Sequence, residues 1–282
     1  MNNLKAFALM SGLSILLVLL GGALGGTNGA AIFFLISLGM NLFSYYYSDK
    51  MVIRMTGAQE IQESQAPQIY AMIRKLTSRA GMPMPKIYVT PSMQPNAFAT
   101  GRNPEHSAIA VTQGLLGILD QDEMEGVLAH EIAHIKNRDI LIGTMAASIA
   151  GAIAMIANVA QWGLMFGGFG GSDDDDGGGG ILGTVVMAIL APIAAMIIQM
   201  AISRSREYGA DETGAYLAGN PQGLSSALLK LQAASQRVPM EISPGVAHMF
   251  IVNPLAGFSL ASLFSTHPPV EQRVAKLNLI RS

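Results

Sequence analysis

Apolar residues fall into four long runs along the chain, and polar segments separate the pairs of runs. The runs cover residues 6–24, 30–48, 140–166 and 181–202. A run of about 20 apolar residues is long enough to cross a bilayer as a helix. The pattern therefore predicts four transmembrane helices arranged as two hairpins.

The two polar segments are predicted to fold together into one domain. Neither carries a complete catalytic site, but their combined length is normal for a single domain. The predicted organisation is a first hairpin (1–48), the first part of the domain (49–139), a second hairpin (140–202) with a loop rich in glycine and aspartate, and the second part of the domain (203–282).

Shorter patterns predict the secondary structure of the polar segments. Amphipathic helices are expected from Pro67 to near Gly81, at 220–236 and at 270–280. Strands are expected at three places, the last two paired across a turn at 101–104: Lys86–Thr90, 96–100 and 107–112. The domain is therefore expected to mix helices with a small sheet.

Composition supports a membrane protein and excludes several other classes. The chain of 282 residues is 50% hydrophobic and only 13% charged, which is too apolar for an ordinary soluble protein. Its net charge is −2 and its basic residues are scattered, so nothing indicates nucleic-acid binding. Because the chain has no cysteine, any metal must be held by histidine and carboxylate side chains.

Lysine and arginine flank the apolar runs on one side only. The connections inside the hairpins, 25–29 and 167–180, contain neither residue, whereas the segments outside them carry Lys5, Lys50, Arg54, Lys136, Arg138, Arg204 and Arg206. Since positive charge marks the cytoplasmic side, we expect both termini and both polar segments in the cytoplasm. The first run can also be interpreted as a signal peptide, but the second run follows it at once, which favours a retained hairpin.

The sequence His130-Glu131-Ile132-Ala133-His134 matches the HExxH pattern of zinc enzymes. Residues four apart share one face of a helix, so His130 and His134 can present two imidazole nitrogens to one Zn²⁺. Glu131 lies beside that face, where it can take a proton from the attacking water. The alternative is a surface turn with two histidines, but the apolar residues around the motif predict a buried helix.

The helix that carries this motif is predicted to be long. Asp120 and Glu123 match a capping box at its start. No proline interrupts residues 121–191, so we expect the helix to continue from His134 into the apolar run that begins at Ile140. The metal would then lie close to the membrane surface.

A catalytic zinc usually takes three protein ligands, and the third must come from elsewhere in the chain. The extended motif HExxHxxGxxH is broken at Asn137 and Ile140. Segment 203–211 supplies two carboxylates, Glu207 and Asp211, four residues apart on one helix face. One can bind the metal while the other hydrogen-bonds a ligand imidazole. The alternative is a charged turn whose arginines pair with Glu207.

Three motifs in this order resemble those of the HtpX-type membrane zinc metalloproteases of bacteria, which are relatives of the CAAX prenyl endopeptidases. The motifs are HEIAHIKNRD at 130–139, SRSREYGAD at 203–211 and STHPP at 265–269. The likeness extends over nearly the whole chain. It implies a mainly α membrane protein with four transmembrane helices and a cytoplasmic α+β zincin-like (gluzincin) protease domain that contains a small sheet.

The resemblance also implies roles for individual residues. It makes His130, His134 and Glu207 the ligands of one Zn²⁺ per chain. Glu131 is then the general base, and Asp211 is the residue that hydrogen-bonds a ligand. Zinc is inferred from the types of ligand, and Mn²⁺, Co²⁺ or Fe²⁺ suits the same set.

Two further parts of the site are expected. By resemblance, His267 and Arg273 are candidates for stabilising the oxyanion, a role worth about 3 kcal/mol for a preorganised donor; by sequence alone, a histidine before two prolines is more often a helix-entry residue. An edge strand at 96–100 or 107–112 can pair with an extended substrate. The predicted substrate-binding residues are Asn96, Ala97, Phe98 and Ala99.

The predicted function is hydrolysis of peptide bonds in misfolded or damaged membrane proteins at the cytoplasmic surface of a bacterial inner membrane. A role in stress-related quality control is implied by the resemblance alone. The predicted partners are protein substrates and the lipid bilayer. One alternative is a CAAX-type processing protease with a narrow prenylated substrate, against which four membrane runs argue. Another is a non-proteolytic metal-binding scaffold, which would not need Glu131.

Overall fold

A computed structural model describes residues 2–143, 204–235, 237, 250–252 and 267–280. Its elements in chain order are helix α1 (Asn2–Met55), strand β1 (Gln59–Glu60), helix α2 (Pro67–Ala80), strands β2 (Lys86–Thr90), β3 (Ala97–Asn103) and β4 (His106–Thr112), helices α3 (Gln113–Ile118) and α4 (Gln121–Asn137), helix α5 (204–218), helix α6 (Pro221–Ser235) and helix α7 (Val270–Leu277). A short helical stretch at 139–143 follows α4. The predicted second hairpin lies outside the described residues from position 144 onward.

Helix α1 is a hairpin, because the chain leaves helical geometry at Gly25 and Gly26, the latter with φ 58°. The two arms lie close together: Asn41 Nδ2 donates to Ser14 Oγ at 3.0 Å and to Met10 O at 3.3 Å. In the described ranges, one helical segment, Gly25–Tyr47, is long and apolar enough to cross a membrane, while Ala6–Gly22 is apolar but shorter. The predicted first hairpin is therefore present as a helical hairpin.

The sheet has the strand order β1-β2-β4-β3, so β3 is an edge strand. Strands β2 and β4 run parallel, and the other two pairs are antiparallel. The predicted hairpin of the last two strands is confirmed, but the predicted turn is wrong. Residues Gly101 and Asn103 still pair with β4 through a bulge, and the turn falls at Pro104 and Glu105.

The main core lies between one face of the sheet and the helices α2, α4 and α6. Side chains such as Ile73, Ile109, Leu128 and Leu228 are completely buried there. The opposite face of the sheet packs a smaller cluster against the end of α1, consisting of Val52, Phe98, Ala110 and Phe250. The predicted helices at Pro67, 220–236 and 270–280 are confirmed and supply part of the main core.

The prediction of one continuous helix from His134 into the run at Ile140 is wrong. Helix α4 ends at Asn137, and Arg138 adopts a left-handed conformation with φ 58°. The Arg138 N–H bonds back to the carbonyls of His134 and Ile135, which closes the helix. The short helix at 139–143 then starts in a new direction, and its Leu141 and Ile142 belong to a cluster with α1.

Candidate metal centre and active site

Helix α4 presents two histidines to one point. Its N-terminus is fixed by the predicted capping box, in which Asp120 and Glu123 each accept a hydrogen bond from the other's backbone N–H. The Nε2 atoms of His130 and His134 lie 3.1 Å apart. His130 is completely buried and His134 is partly exposed, so the pair is accessible from the side of His134.

Helix α5 brings a carboxylate to the same point. Glu207 Oε1 lies 3.4 Å from His134 Nε2, and Glu207 Oε2 lies 3.7 Å from His130 Nε2. One ligand atom from each of these three residues falls within 4.8 Å of the other two. The sequence left open which carboxylate of segment 203–211 faces the histidines, and the geometry places Glu207 there.

The other nitrogen of each imidazole contacts a carboxylate. His130 Nδ1 lies 3.0 Å from Asp211 Oδ1, and His134 Nδ1 lies 3.1 Å from Asp139 Oδ2. With both Nδ1 atoms serving as donors, the lone pairs on Nε2 are directed to the centre of the cluster. Sequence reasoning missed Asp139, because its approach depends on the turn at Arg138.

Arg273 of α7 contacts both carboxylates of helix α5, Asp211 and Glu207. Its Nε and Nη2 donate to the two oxygens of Asp211, while Nη1 donates to Ile251 O at 2.8 Å and lies 3.4 Å from Glu207 Oε2. The side chain is completely buried. Since these contacts engage all three guanidinium nitrogens, the geometry favours a supporting role over the oxyanion-binding role considered from sequence.

Electrostatics of the site favour a bound cation. Burial raises the pKa of Asp211, but Arg273 outweighs burial and lowers this pKa to about 2. Burial also raises the pKa of Glu207, yet His267 and His134 hold it well below its usual value. Burial lowers the pKa of His134, but hydrogen bonds to Asp139 and Glu207 raise it to about 10. The cluster therefore stabilises a positive charge at its centre.

Glu131 is buried beside the cluster and points towards the edge strand. The backbone N–H of Ala99 donates to its carboxylate, and burial is the main reason why its pKa rises to about 7. A general base works best when its pKa is close to the working pH. The environment of Glu131 thus matches the role predicted from the motif.

His267 also comes to the cluster, as the third motif predicted. Its Nδ1 lies 3.3 Å from Glu207 Oε2, and the side chain is 7% exposed. The two other histidines of the chain are elsewhere: His106 is exposed at the start of β4 and contacts Asn103, and His248 lies outside the described residues.

The predicted substrate strand forms the rim of the site. Asn96, Ala97, Phe98 and Ala99 are all buried. Asn96 directly precedes strand β3, which holds the other three and has its outer edge turned towards Glu131 and towards residues 250–252. The alternative strand at 107–112 lies inside the sheet as β4 and cannot accept a further strand.

The donor set fits a zinc ion. Two imidazole nitrogens and a carboxylate that face one another at 3.1–3.7 Å repel each other unless a proton or a metal ion lies between them. Two histidines with one glutamate form a well-known ligand set for catalytic zinc, with a position left open for water. Each imidazole also has the carboxylate partner that usually orients such a ligand.

Known proteins are similar to this chain in sequence and in fold. The chain matches peptidase family M48 over residues 63–281. A protease HtpX homolog of Pelotomaculum thermopropionicum is 64% identical over 278 residues, covering 99% of both proteins. Another, from Ralstonia nicotianae, is 50% identical over 279 residues, covering 98% of this chain and 96% of its own length.

A solved structure has the same fold. The crystal structure of S. mikatae Ste24p superposes with a TM-score of 0.58 at 21% identity. The match covers 98% of this chain, which spans 65% of that protein. At this identity the likeness concerns the fold, which here is mostly helical with a small mixed sheet.

These matches make the chain a metalloprotease. It belongs to peptidase family M48, and its relatives over nearly the full length are protease HtpX homologs. With the apolar segment Gly25–Tyr47, this membership indicates a membrane-associated enzyme that acts on peptides.

Proposed function

We propose that the chain is a zinc-dependent endopeptidase that cleaves misfolded or damaged membrane proteins at the cytoplasmic surface of a bacterial inner membrane. The observation that carries the proposal is the convergence of Glu207 of α5 with His130 and His134 of α4, beside Glu131, which is buried on the same helix α4. Family membership supports peptide hydrolysis. A role in quality control under stress is the part that rests on resemblance alone.

In this proposal, His130, His134 and Glu207 hold the metal. A zinc ion bound there would acidify a water molecule and polarise the scissile carbonyl. Glu131 accepts the proton of the attacking water and later delivers it to the leaving amine. Its raised pKa, about 7, suits both steps.

The residues around the ligands orient them and the substrate. Asp211 and Asp139 fix the two imidazoles from behind. His267 is assigned to the oxyanion that forms at the scissile carbonyl, because it lies beside Glu207 at the centre of the site. The outer edge of β3 aligns the substrate backbone, with Asn96, Ala97, Phe98 and Ala99 as its binding residues.

The proposed membrane arrangement has four spans, with both termini and the active site in the cytoplasm. The charge pattern of the connections supports this arrangement, and so does the helical hairpin of α1. A third support is the contact between this hairpin and the residues that follow helix α4. Leu141 and Ile142 pack there with Ala6 of α1. The chain thus reaches the hairpin only a few residues after the candidate metal ligand His134. In the proposed arrangement, the metal site is close enough to the membrane to act on substrates held in the bilayer.

Replacing Glu131 by glutamine tests the mechanism. The Glu131→Gln variant and wild type should each bind one zinc per chain. The variant should cleave casein more slowly than wild type by a factor of roughly 10² or more. Zinc is measured by elemental analysis after dialysis and cleavage by release of peptides. Glu212→Gln, an exposed change on α5, is the control for the effects of mutagenesis and purification, and it should cleave casein as wild type does. Turnover that persists without Glu131 would show that the assigned base is wrong.

A further inference from the structure

The backbone of Ile251 and Val252 lies between the outer edge of β3 and Arg273. Ile251 N–H donates to Ala97 O at 3.1 Å, and Arg273 Nη1 donates to Ile251 O at 2.8 Å. The side chain of Asn96 binds the next residue through both of its groups: Nδ2 donates to Val252 O at 2.8 Å, and Oδ1 accepts from Val252 N–H at 3.4 Å. Four hydrogen bonds thus hold the main chain of two consecutive residues.

None of these contacts depends on the side chains of the bound residues. Main-chain hydrogen bonds along a strand edge are the means by which a protein binds extended peptides of many sequences. The same edge of β3 also serves the candidate base, because Ala99 N–H donates to Glu131 while Ala97 O accepts from Ile251. The segment therefore occupies positions that a substrate needs.

The bound segment is also adjacent to the metal cluster. Arg273 Nη1, which holds the carbonyl of Ile251, lies 3.4 Å from Glu207 Oε2. A peptide held by these groups runs past the ligands at a short distance. The side chain of Asn96, which is assigned to substrate binding above, is thus engaged by this segment.

We propose that Phe250, Ile251 and Val252 act as an internal pseudosubstrate. Their backbone takes the main-chain binding positions beside Glu131, and a peptide substrate must displace them before cleavage. This inference rests on the endopeptidase function proposed above. Each extended peptide then competes for the edge of β3 with a segment of the same chain.

Phe250 anchors the segment on the far face of the sheet. Its ring is completely buried, with its centroid 5.1 Å from that of Phe98, in the cluster that also holds Val52 and Ala110. The side chains of Ile251 and Val252 are buried in the main core, so release of the segment competes with their burial as well as with the contact of Phe250. The apparent affinity for a peptide is reduced by the fraction of molecules in which the segment is displaced.

A reversible cross-link tests the proposal, because the natural chain has no cysteine. Val52→Cys and Phe250→Cys, which belong to the same apolar cluster, are combined in full-length Glu131→Gln protein and joined by a short, thiol-cleavable bis-maleimide. Binding of a fluorescent casein peptide is measured by anisotropy before and after cleavage of the linker. The cross-linked form should bind at least about tenfold more weakly than the released form. Equal binding by the two forms would overturn the proposal.

A second cross-link provides a matched control. Lys75 and Glu125 form an ion pair at 2.6 Å between α2 and α4, away from the site. Cysteines at these two positions, joined by the same reagent, should leave peptide binding unchanged. Zinc content is measured in every form, so that a loss of metal is not mistaken for a blocked site.

Val252→Pro tests the same idea without a cross-link. Proline removes the N–H that donates to Asn96, and loss of one such bond should lower the apparent KM for the peptide by about fivefold while kcat stays unchanged. An unchanged or higher KM would count against a competing segment. If the cross-link weakens peptide binding but protein that keeps Glu131 does not cleave the peptide, the proposed catalysis fails and the pseudosubstrate remains. Binding that ignores the cross-link refutes the pseudosubstrate even in an active protease.

Discussion

Arg273 holds Asp211 through two parallel hydrogen bonds, from Nε to Oδ2 at 2.8 Å and from Nη2 to Oδ1 at 2.7 Å. A guanidinium matches a carboxylate in this two-pronged geometry, which gives the strongest form of such a contact. Asp211 then lies 3.0 Å from Nδ1 of His130. Helix α7 thus supports a candidate metal ligand through one buried ion pair.

Removing Arg273 should therefore destabilise the fold as well as the site. Arg273→Leu leaves Asp211 buried without its partner, and the free energy of unfolding should fall by roughly 3–5 kcal/mol. Arg273→Lys should recover only part of this loss, since an ammonium cannot donate in the same two-pronged way. Thermal unfolding in detergent measures the change.

Lys276 provides the matched control on the same helix. Its Nζ lies 3.4 Å from the ring centroid of Tyr208, on the solvent side. Lys276→Leu should cost only about 0.5–1 kcal/mol. Similar losses for Arg273→Leu and Lys276→Leu would mean that the buried pair with Asp211 contributes little.

Asp139 should control the affinity for zinc. Its carboxylate lies 3.1 Å from Nδ1 of His134, and loss of such a partner usually weakens metal binding by about 10–100-fold. Asp139→Leu should show this loss, whereas Asp139→Asn keeps an acceptor oxygen and should lose less. Competition with a coloured chelator measures the zinc dissociation constant. Asp122→Asn, an exposed change on α4, should leave it unchanged.

The parts of the site that the sequence predicted are those encoded over short distances or by topology. The spacing of His130 and His134 follows from the helical repeat, and the capping box at Asp120 needs only its own helix. Glu207 was among the candidates because a second polar segment was expected to join the first.

The parts that the sequence did not predict depend on backbone geometry or on contacts between distant segments. Asp139 reaches His134 only because Arg138 adopts a left-handed conformation and ends the helix. The sequence did not predict this turn, because the lack of proline after His134 indicated a continuous helix. The contact of Arg273 with Asp211 spans 62 positions of the chain, and no local pattern marks it. The edge position of β3 likewise follows from the strand order, which alternation of polar and apolar residues does not determine.

Glu123 should make stability depend on pH. Its Oε2 accepts from Lys230 Nζ at 2.7 Å, and its Oε1 accepts from Ser226 Oγ at 2.6 Å. Burial raises its pKa, but these hydrogen bonds and that from Asp120 outweigh burial and place the pKa below the usual 4.5. A carboxyl with a lowered pKa stabilises the fold above the pKa of the unfolded chain and loses this effect as the pH falls.

Glu123→Gln should accordingly lower the melting temperature at neutral pH, and the difference from wild type should narrow as the pH falls below about 4.5. Thermal unfolding at a series of pH values measures this gap. The exposed change Glu212→Gln should show no such convergence. A gap of constant size would mean that the charge of Glu123 does not contribute to stability.

Gly214 should determine the distance between the helices that carry the metal ligands. A Cβ at Gly214 would lie 2.9 Å from the backbone nitrogen of His130 and 3.0 Å from its Cα, so α5 packs directly on the backbone of α4. Gly214→Ala therefore forces α5 outward, and Glu207 and Asp211 move with it. We expect a loss of stability of about 1–3 kcal/mol from overpacking, together with roughly tenfold weaker zinc binding.

Gly209 lies on the same helix and provides a control. A methyl group added there raises helix propensity as at Gly214, but does not press on α4. Among the described residues, a Cβ at Gly209 meets no atom within 4 Å beyond its own stretch of helix, so Gly209→Ala should be neutral or stabilise α5 by up to about 1 kcal/mol through helix propensity. Zinc affinity and melting temperature are measured for both variants. If zinc binds equally well to Gly214→Ala and Gly209→Ala, the close packing of the two helices does not set the metal geometry. A loss confined to Gly214→Ala would show that the spacing of α4 and α5 places Glu207 against the two histidines.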